Sequence, residues 1–131
     1  MVRIVLADDH TIIRSGLRLL LEQQPDFKVV AEAEDGRQAV ERVAGHHPDV
    51  VILDIGMPRL DGYEVADRIR RMDGPPIVLV ALTGWGQDED KRRSRDAGFD
   101  HHLTKPPEPD VVQRLIAACV DASASDGPQS R

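Results

Sequence analysis

Three things are scarce in this chain of 131 residues: cysteine, basic charge and long apolar runs. Cys119 is the single cysteine, so no disulfide forms within the chain, and we expect it to be a core residue of a helix. The formal net charge of −6 argues against nucleic-acid binding by this domain, because such domains favour a basic face. No run reaches the ~18 apolar residues of a membrane span, so we expect no membrane contact.

Several other signals are also missing. The chain leads from Met1 straight into an apolar run and an acidic pair, without a signal peptide, so we expect a cytoplasmic protein. There is no internal repeat, no helix-turn-helix after Val120 and no ATP-binding motif of a kinase. The length fits one domain that is large enough to build a core without disulfides or structural metals.

What the chain does contain is two short apolar runs that end in acids. Residues 50–53 are Val-Val-Ile-Leu, followed by Asp54, and residues 4–7 are Ile-Val-Leu-Ala, followed by Asp8 and Asp9. Apolar runs without alternation are typical of strands buried on both faces of a parallel sheet. Ligands of such sheets bind beyond the carboxyl ends of the strands, which is where these acids lie.

The three acids predict a particular chemistry. If the two strands are neighbours, their ends lie ~5 Å apart, and three carboxylates crowd one edge of the sheet. Like charges that close require a cation or raised pKa values, and oxygen ligands suit Mg²⁺. A carboxylate also attacks phosphorus to form an aspartyl-phosphate. Asp54 is therefore predicted to be a site of Mg²⁺-assisted phosphorylation.

The remaining pattern predicts an α/β fold. Strands are expected at residues 3–7, 27–33, 50–54, 77–82 and 99–103. Helices are expected at residues 11–24, from 36 to about 45, at 63–72, at 87–97, and from 107 onward. This alternation indicates a doubly wound, flavodoxin-like sheet of five parallel strands and five helices. Its strand order, 2-1-3-4-5, places the switch point between strands one and three, beside the acids.

The end of the chain has a different composition. From Asp121 the residues are mainly Ala, Ser, Asp, Gly and Pro. We therefore expect residues 1–120 to form the domain and residues 121–131 to be a disordered tail or the start of a linker.

Two further polar residues follow strands at the same edge. Thr83 follows strand four, and Lys105 follows strand five. Singly, each is better explained without a function: Thr83 as a turn residue and Lys105 as a solvated strand end. Together with the acids they fit a phosphoryl site, in which the hydroxyl and the ammonium bind phosphoryl oxygens and Lys105 neutralises developing charge.

Several of these segments together resemble the response-regulator receiver domain, the CheY-like family, from about Arg3 to Val120. The motifs are Val5-Leu6-Ala7-Asp8-Asp9, Leu53-Asp54-Ile55-Gly56-Met57-Pro58, Asp61-Gly62-Tyr63, Leu82-Thr83-Gly84 and Lys105-Pro106. The resemblance implies a protein that is not an enzyme but a phosphoacceptor, with Asp54 taking its phosphoryl group from a histidine kinase or phosphotransfer protein.

The resemblance also implies roles for the other residues of the site. Mg²⁺ would be bound by Asp9, Asp54 and the backbone carbonyl of Gly56, with Asp8 acting largely through water. Thr83 would be the switch hydroxyl and Lys105 a phosphoryl partner. The residue after it, Pro106, would follow a cis peptide bond.

Two positions bear on the switch. Three residues before the lysine, the family usually has Tyr or Phe, whereas this chain has His102. We expect His102 to be a half-exposed strand residue. The alternative is that its side chain rotates as a switch. Trp85 lies between Gly84 and Gly86, just past Thr83, so we expect its indole to report loop movement and to shield the phosphoryl group. The polar helix at residues 87–97, strand five and the last helix are expected to contact a target protein or a second copy.

Three functions remain open from the sequence. The first is a stand-alone receiver, since the second half resembles stand-alone receivers and those of hybrid histidine kinases. The second is a receiver fragment of a LuxR-type DNA-binding regulator or of a hybrid kinase, since residues 26–33 resemble receivers joined to LuxR-type DNA-binding helices. The third is a phosphatase that uses Asp54 as a turnover nucleophile. That reading is disfavoured because Gly56 stands where haloacid-dehalogenase-type phosphatases have an acid.

Overall fold

A single parallel sheet of five strands organises the molecule. The computed structural model describes residues 2–55, 62–83, 98–104 and 108–125. The strands are β1 (Val2–Ala7), β2 (Phe27–Ala33), β3 (Val50–Asp54), β4 (Val78–Thr83) and β5 (His101–Thr104). They are arranged in the order β2-β1-β3-β4-β5, and every neighbouring pair is parallel. The predicted doubly wound order is therefore confirmed.

Helices cover both faces of this sheet. The described helices are α1 (Thr11–Glu22), α2 (Gly36–His46), α3 (Gly62–Arg70) and α4 (Pro109–Ser125). Leu17 and Leu21 of α1 and Val112 of α4 pack on one face of the sheet. The other face is covered by α2 and α3. The predicted polar helix at residues 87–97 lies outside the described residues.

The unbroken apolar runs are explained by burial on both faces. In β1, Ile4 and Leu6 belong to the cluster under α1, whereas Val5 and Ala7 belong to the cluster under α2 and α3. All five residues of β3 are buried. A central strand between two helical layers needs apolar side chains at every position, which is why alternation is absent.

The two helices that follow β1 and β2 begin differently. The side chain of Asp35 accepts a hydrogen bond from the backbone N–H of Gln38 at 2.8 Å and so caps α2. The residue directly after that helix is its C-cap, His47, which adopts a left-handed conformation with φ of 49°. By contrast α1 begins after His10, whose side chain makes no capping hydrogen bond. The His10 side chain is directed elsewhere, toward the acids.

Some boundaries differ from the sequence prediction. The strand expected at residues 99–103 begins only at His101. Before it, Phe99 packs into the core, and the Asp100 side chain accepts a hydrogen bond from the backbone N–H of Leu79. The last helix continues through residues 121–125, where we predicted a tail from Asp121, because no Gly or Pro interrupts the chain before Gly127. The side chain of Cys119 lies outside the described residues. Across the described parts of the chain, no helix is long and apolar enough to cross a membrane.

Candidate functional site: an acidic cluster at the carboxyl edge of the sheet

Two buried carboxylates lie at the ends of adjacent central strands. Asp8 directly follows β1, and Asp54 is the last residue of β3. These strands pair in parallel with Ala7 opposite Leu53, so the two acids emerge at the same edge. Asp8 is 1% exposed and Asp54 is 4% exposed. The predicted pairing of strands one and three is confirmed. It brings two acidic side chains together where water has little access.

Asp9 and His10 complete a compact group of potential metal ligands. One ligand atom from each of Asp8, Asp9, His10 and Asp54 lies within 4.8 Å of all the others. Asp9 and His10 are exposed, so the group opens to solvent on their side. Three carboxylates within this distance repel one another unless a cation or donors lie between them.

His10 is a member of this cluster that the sequence prediction missed. Its ring Nδ1 is 3.0 Å from Asp8 Oδ1, 3.2 Å from Asp9 Oδ1 and 3.8 Å from Asp54 Oδ2. Its backbone N–H also donates to Asp8 Oδ1 at 2.8 Å. The available signal was its position directly after the acidic pair, although a histidine there is equally compatible with a solvated helix start.

The loop that carries these acids is anchored by Arg14 of α1. Its guanidinium donates to the backbone carbonyl of Asp8 at 2.6 Å and to the Glu32 carboxylate of β2 at 2.7 Å. Arg18, one turn further along α1, also binds Glu32. The hydrogen bond to Glu32 raises the pKa of Arg18 above its usual value. These contacts hold the Asp8 backbone to two elements of the scaffold.

Thr83 lies at the end of β4, next to the acidic strand end. It is 1% exposed, and its hydroxyl donates to the Leu103 carbonyl of β5 at a long 3.4 Å. Asp54 pairs with Leu82 in the register of β3 and β4, so Thr83 lies one residue beyond that pair. The hydroxyl is therefore beside the acidic edge.

The structure leaves part of the predicted site untested. His102 is half-buried in β5 opposite Ala81, which agrees with a strand residue and leaves its switch role a prediction. Four other predicted residues lie outside the described parts of the chain: Gly56, Trp85, Lys105 and Pro106. The described part of the site therefore consists of the acids, His10 and Thr83.

The fold and the acidic edge define a class of protein. The chain matches the response regulator receiver domain over residues 4–117, and it belongs to this family. Receiver domains are the phosphorylated parts of two-component systems; they are response regulators rather than classical enzymes, and histidine kinases phosphorylate them. They generally bind Mg²⁺ at an acidic pocket. The carboxylate oxygens of Asp8, Asp9 and Asp54 are ligands of the type that Mg²⁺ prefers, so the donor set fits this ion.

The curated relatives are transcriptional regulators. The chain is 40% identical over 104 residues to the transcriptional regulatory protein PdtaR of Mycobacterium tuberculosis, covering 79% of this chain and 49% of that protein. It is 39% identical over 129 residues to the transcriptional regulatory protein DegU of Brevibacillus brevis, covering 98% of this chain and 54% of that protein. The chain thus spans about half the length of these relatives.

Solved structures agree with the fold. The receiver domain of AraT, a response regulator from Geobacillus stearothermophilus, superposes with a TM-score of 0.87 at 28% identity, covering 95% of this chain and 97% of that chain. The receiver domain of the response regulator NarL from Mycobacterium tuberculosis gives a TM-score of 0.85 at 29% identity, covering 92% of this chain and 96% of that chain. Both comparisons extend over nearly the whole chain.

Proposed function

We propose that Asp54 is the phosphoacceptor of this receiver domain and that a divalent cation, Mg²⁺ by family precedent, assists the transfer. The observation that carries this proposal is the burial of Asp54 at a strand end, within 4.8 Å of the ligand atoms of Asp8 and Asp9. A carboxylate that ends a rigid central strand is held in one orientation, as a nucleophile requires.

The transfer itself is a displacement at phosphorus. A carboxylate oxygen of Asp54 forms a bond to phosphorus while the bond between phosphorus and the donor's imidazole nitrogen breaks, and that nitrogen keeps the electron pair and takes up a proton. Bound Mg²⁺ would neutralise charge on the phosphoryl oxygens. Asp9 and Asp54 would hold that ion, with Asp8 acting largely through water, and Thr83 would donate a hydrogen bond to a phosphoryl oxygen. Lys105 would bind another oxygen, and the backbone carbonyl of Gly56 would complete the ion's ligands.

A protein donor fits the surface beside the site. Ile12 and Leu19 on α1 are 87% and 70% exposed, and α1 begins directly after the acidic loop. Exposed apolar side chains on the helix that follows the acidic loop are available for contact with a protein donor, and histidine kinases phosphorylate receiver domains. We therefore propose a histidine kinase or phosphotransfer protein as the partner.

Phosphorylation with a small donor tests the assignment. Incubation with acetyl phosphate and Mg²⁺ should add one phosphoryl group per chain, as read by intact mass, and chelation of Mg²⁺ should prevent it. Asp54→Asn should abolish labelling with the fold retained by circular dichroism. The matched control is Asp67→Asn, an exposed acid of α3 that should label normally. Full labelling of Asp54→Asn would reject the assignment.

The same reagents separate a receiver from a phosphatase. A receiver releases its phosphoryl group slowly, so a generic phosphate ester should give no multiple turnovers. Sustained turnover that Asp54→Asn abolishes would favour the hydrolase.

The output of the whole protein is a second question. The curated relatives favour a receiver that is joined to a transcriptional output domain, whereas the sequence alone favoured a stand-alone receiver. We propose residues 1–120 as the phosphoacceptor domain in either case. Sequencing the reading frame beyond Arg131 distinguishes the two, since only a regulator of the first kind continues into a DNA-binding domain.

A further inference from the structure

The orientation of the His10 ring toward the acids is explained neither by burial nor by capping of α1. Its Nδ1 faces all three carboxylates, at 3.0 Å from Asp8, 3.2 Å from Asp9 and 3.8 Å from Asp54. The ring is 58% exposed as a side chain, so burial does not force this orientation. It also makes no capping hydrogen bond to α1, although it occupies the N-cap position.

The spacing of these atoms matches one coordination shell. Ligands at about 2.1 Å from a hexacoordinate ion are roughly 3.0 Å apart when adjacent and roughly 4.2 Å apart when opposite. The distances from Nδ1 to Asp8 and Asp9 are within about 0.2 Å of the adjacent spacing, and its distance of 3.8 Å to Asp54 lies between the two values. All four ligand atoms lie within 4.8 Å of one another, so small side-chain shifts place them around one centre.

We infer that His10 is a nitrogen ligand of this metal site and that it shifts the site's preference from Mg²⁺ toward divalent transition metals such as Mn²⁺, Co²⁺ and Ni²⁺. The inference rests on the proposed function, in which Asp9 and Asp54 hold a divalent ion. Imidazole suits transition metals, whereas Mg²⁺ favours oxygen donors and water. The Nδ1 lone pair would bind the ion, and the ring proton would stay on Nε2.

The competing explanation makes the opposite prediction. If Nδ1 only donates a hydrogen bond to Asp8 Oδ1, the ring blocks the space between the acids. Removing the ring would then strengthen the binding of every divalent ion. If the ring is a ligand, removing it weakens transition metals selectively.

Metal titrations at one fixed pH provide the first test. The affinities for Mg²⁺, Mn²⁺ and Ni²⁺ are measured by calorimetry. His10→Ala should lower the Ni²⁺ affinity by at least about tenfold and change the Mg²⁺ affinity by less than about threefold. The reason is that water replaces the imidazole readily only on Mg²⁺. The matched control is His101→Ala, a half-buried histidine of β5 outside the cluster, which should leave both affinities unchanged.

Pulsed EPR of the Mn²⁺-loaded protein provides the second test. The spectrum should contain a coupling to a directly bound ¹⁴N nucleus, and labelling only the histidines with ¹⁵N should convert it to a ¹⁵N coupling. The coupling should disappear in His10→Ala and persist in His101→Ala. Because the unaltered protein carries the decisive signal, this test holds even if His10→Ala fails to fold.

The outcomes separate this inference from the proposed function. Failure of the unaltered protein to bind any divalent ion would overturn both. A second set of results would overturn only the ligand role of His10. In that set, the unaltered protein binds metal and Asp9→Asn removes the binding, but the EPR spectrum shows no histidine coupling. The ratio of Ni²⁺ affinity to Mg²⁺ affinity is also unchanged in His10→Ala. Tighter binding of all three metals by His10→Ala would also overturn it and would make the ring a competitor for the site.

Discussion

At the residue scale, the proposed metal ligand Asp9 is expected to reduce the stability of the metal-free protein. Its carboxylate lies close to two buried acids, so mutual repulsion opposes folding when no metal is bound. Asp9→Asn keeps the shape and removes the charge. Without metal we expect it to raise the free energy of unfolding by about 1 kcal/mol, the scale of one close interaction between solvated charges.

The same substitution should weaken the response to Mg²⁺. A ligand that binds only the folded state raises the melting temperature with its concentration, and Asp9→Asn replaces the charged carboxylate of a proposed Mg²⁺ ligand with a neutral amide. Thermal melts with and without Mg²⁺ measure both effects. Asp26→Asn, an exposed acid before β2, serves as the control and should behave like the unaltered protein. A metal-free Asp9→Asn protein that melts lower contradicts the repulsion argument.

At the scale of elements, Glu32 joins α1 to β2. Burial alone raises the pKa of Glu32, but the hydrogen bonds from Arg14 and Arg18 outweigh burial and lower it below the usual value. The folded state therefore favours the ionised form. The stability that this carboxylate contributes is complete above the ordinary glutamate pKa and is lost as the pH falls through the lowered value.

Glu32→Gln should accordingly destabilise the protein in a pH-dependent way. We expect a loss of about 1–3 kcal/mol near pH 7, because the Arg14 guanidinium loses a charged partner. The difference from the unaltered protein should shrink below about pH 4, where the carboxyl becomes protonated. Urea unfolding between pH 7 and pH values below about 4 measures this difference in the free energy of unfolding. The control is Glu41→Gln, on the exposed side of α2. A deficit that is constant with pH would assign the effect to packing rather than charge.

A second junction connects α3 to the strands β4 and β5. Arg70 donates to the carbonyls of Gly98 and Ile77, at 2.6 and 2.8 Å, and to the Asp100 carboxylate at 2.6 Å. Asp100 also accepts a hydrogen bond from the backbone N–H of Leu79 at 2.9 Å. Gly98 has a φ of 95°, which favours glycine at this turn.

Removing Arg70 should loosen this junction. Arg70→Met keeps the apolar stem and removes the donors, so we expect a loss of about 1–3 kcal/mol. Hydrogen exchange of the Leu79 backbone amide should be faster in Arg70→Met than in the unaltered protein. Arg71→Met is the matched control, because Arg71 forms an exposed ion pair with Asp67 of the same helix, and exposed pairs contribute about 0–1 kcal/mol. Equal effects of the two substitutions would contradict a junction role for Arg70.

At the scale of the whole molecule, Thr83 connects the acidic edge to β5. Among the described residues, its hydroxyl makes one long contact, 3.4 Å, to the Leu103 carbonyl, and a hydrogen bond of this length is weak enough to be exchanged for one to a phosphoryl group. Trp85, the only tryptophan, follows two residues later in the chain. Beryllofluoride with Mg²⁺, which mimics the phosphoryl group, should therefore change Trp85 emission.

Two variants separate binding from propagation. Asp54→Asn should remove the emission change because the mimic no longer attaches. Thr83→Ala should still bind the mimic but show a reduced emission change. A full response in Thr83→Ala would reject the coupling through this hydroxyl, and no response in the unaltered protein would reject loop movement at Trp85. Trp85→Ala should also shorten the lifetime of phosphorylated Asp54 if the indole shields it; an unchanged lifetime rejects shielding.

The sequence by itself determined the strands and the identity of the acids. A strand buried on both faces needs apolar side chains along its length, so β1 and β3 are visible as apolar runs, and the acids mark where those runs end. The register of Ala7 opposite Leu53 agrees with the expected strand order. Local periodicity and burial are properties of neighbouring residues, and they can be recognised without coordinates.

Only the tertiary structure decided which side chains meet around those acids. The orientation of the His10 ring toward Asp54 and the pairing of Arg14 with Glu32 depend on how α1 lies against β1 and β2. Such contacts join residues that are distant in the chain or turned in one of several rotamers, and no local pattern encodes them. The acids were therefore predictable from the sequence, whereas their partners depend on packing.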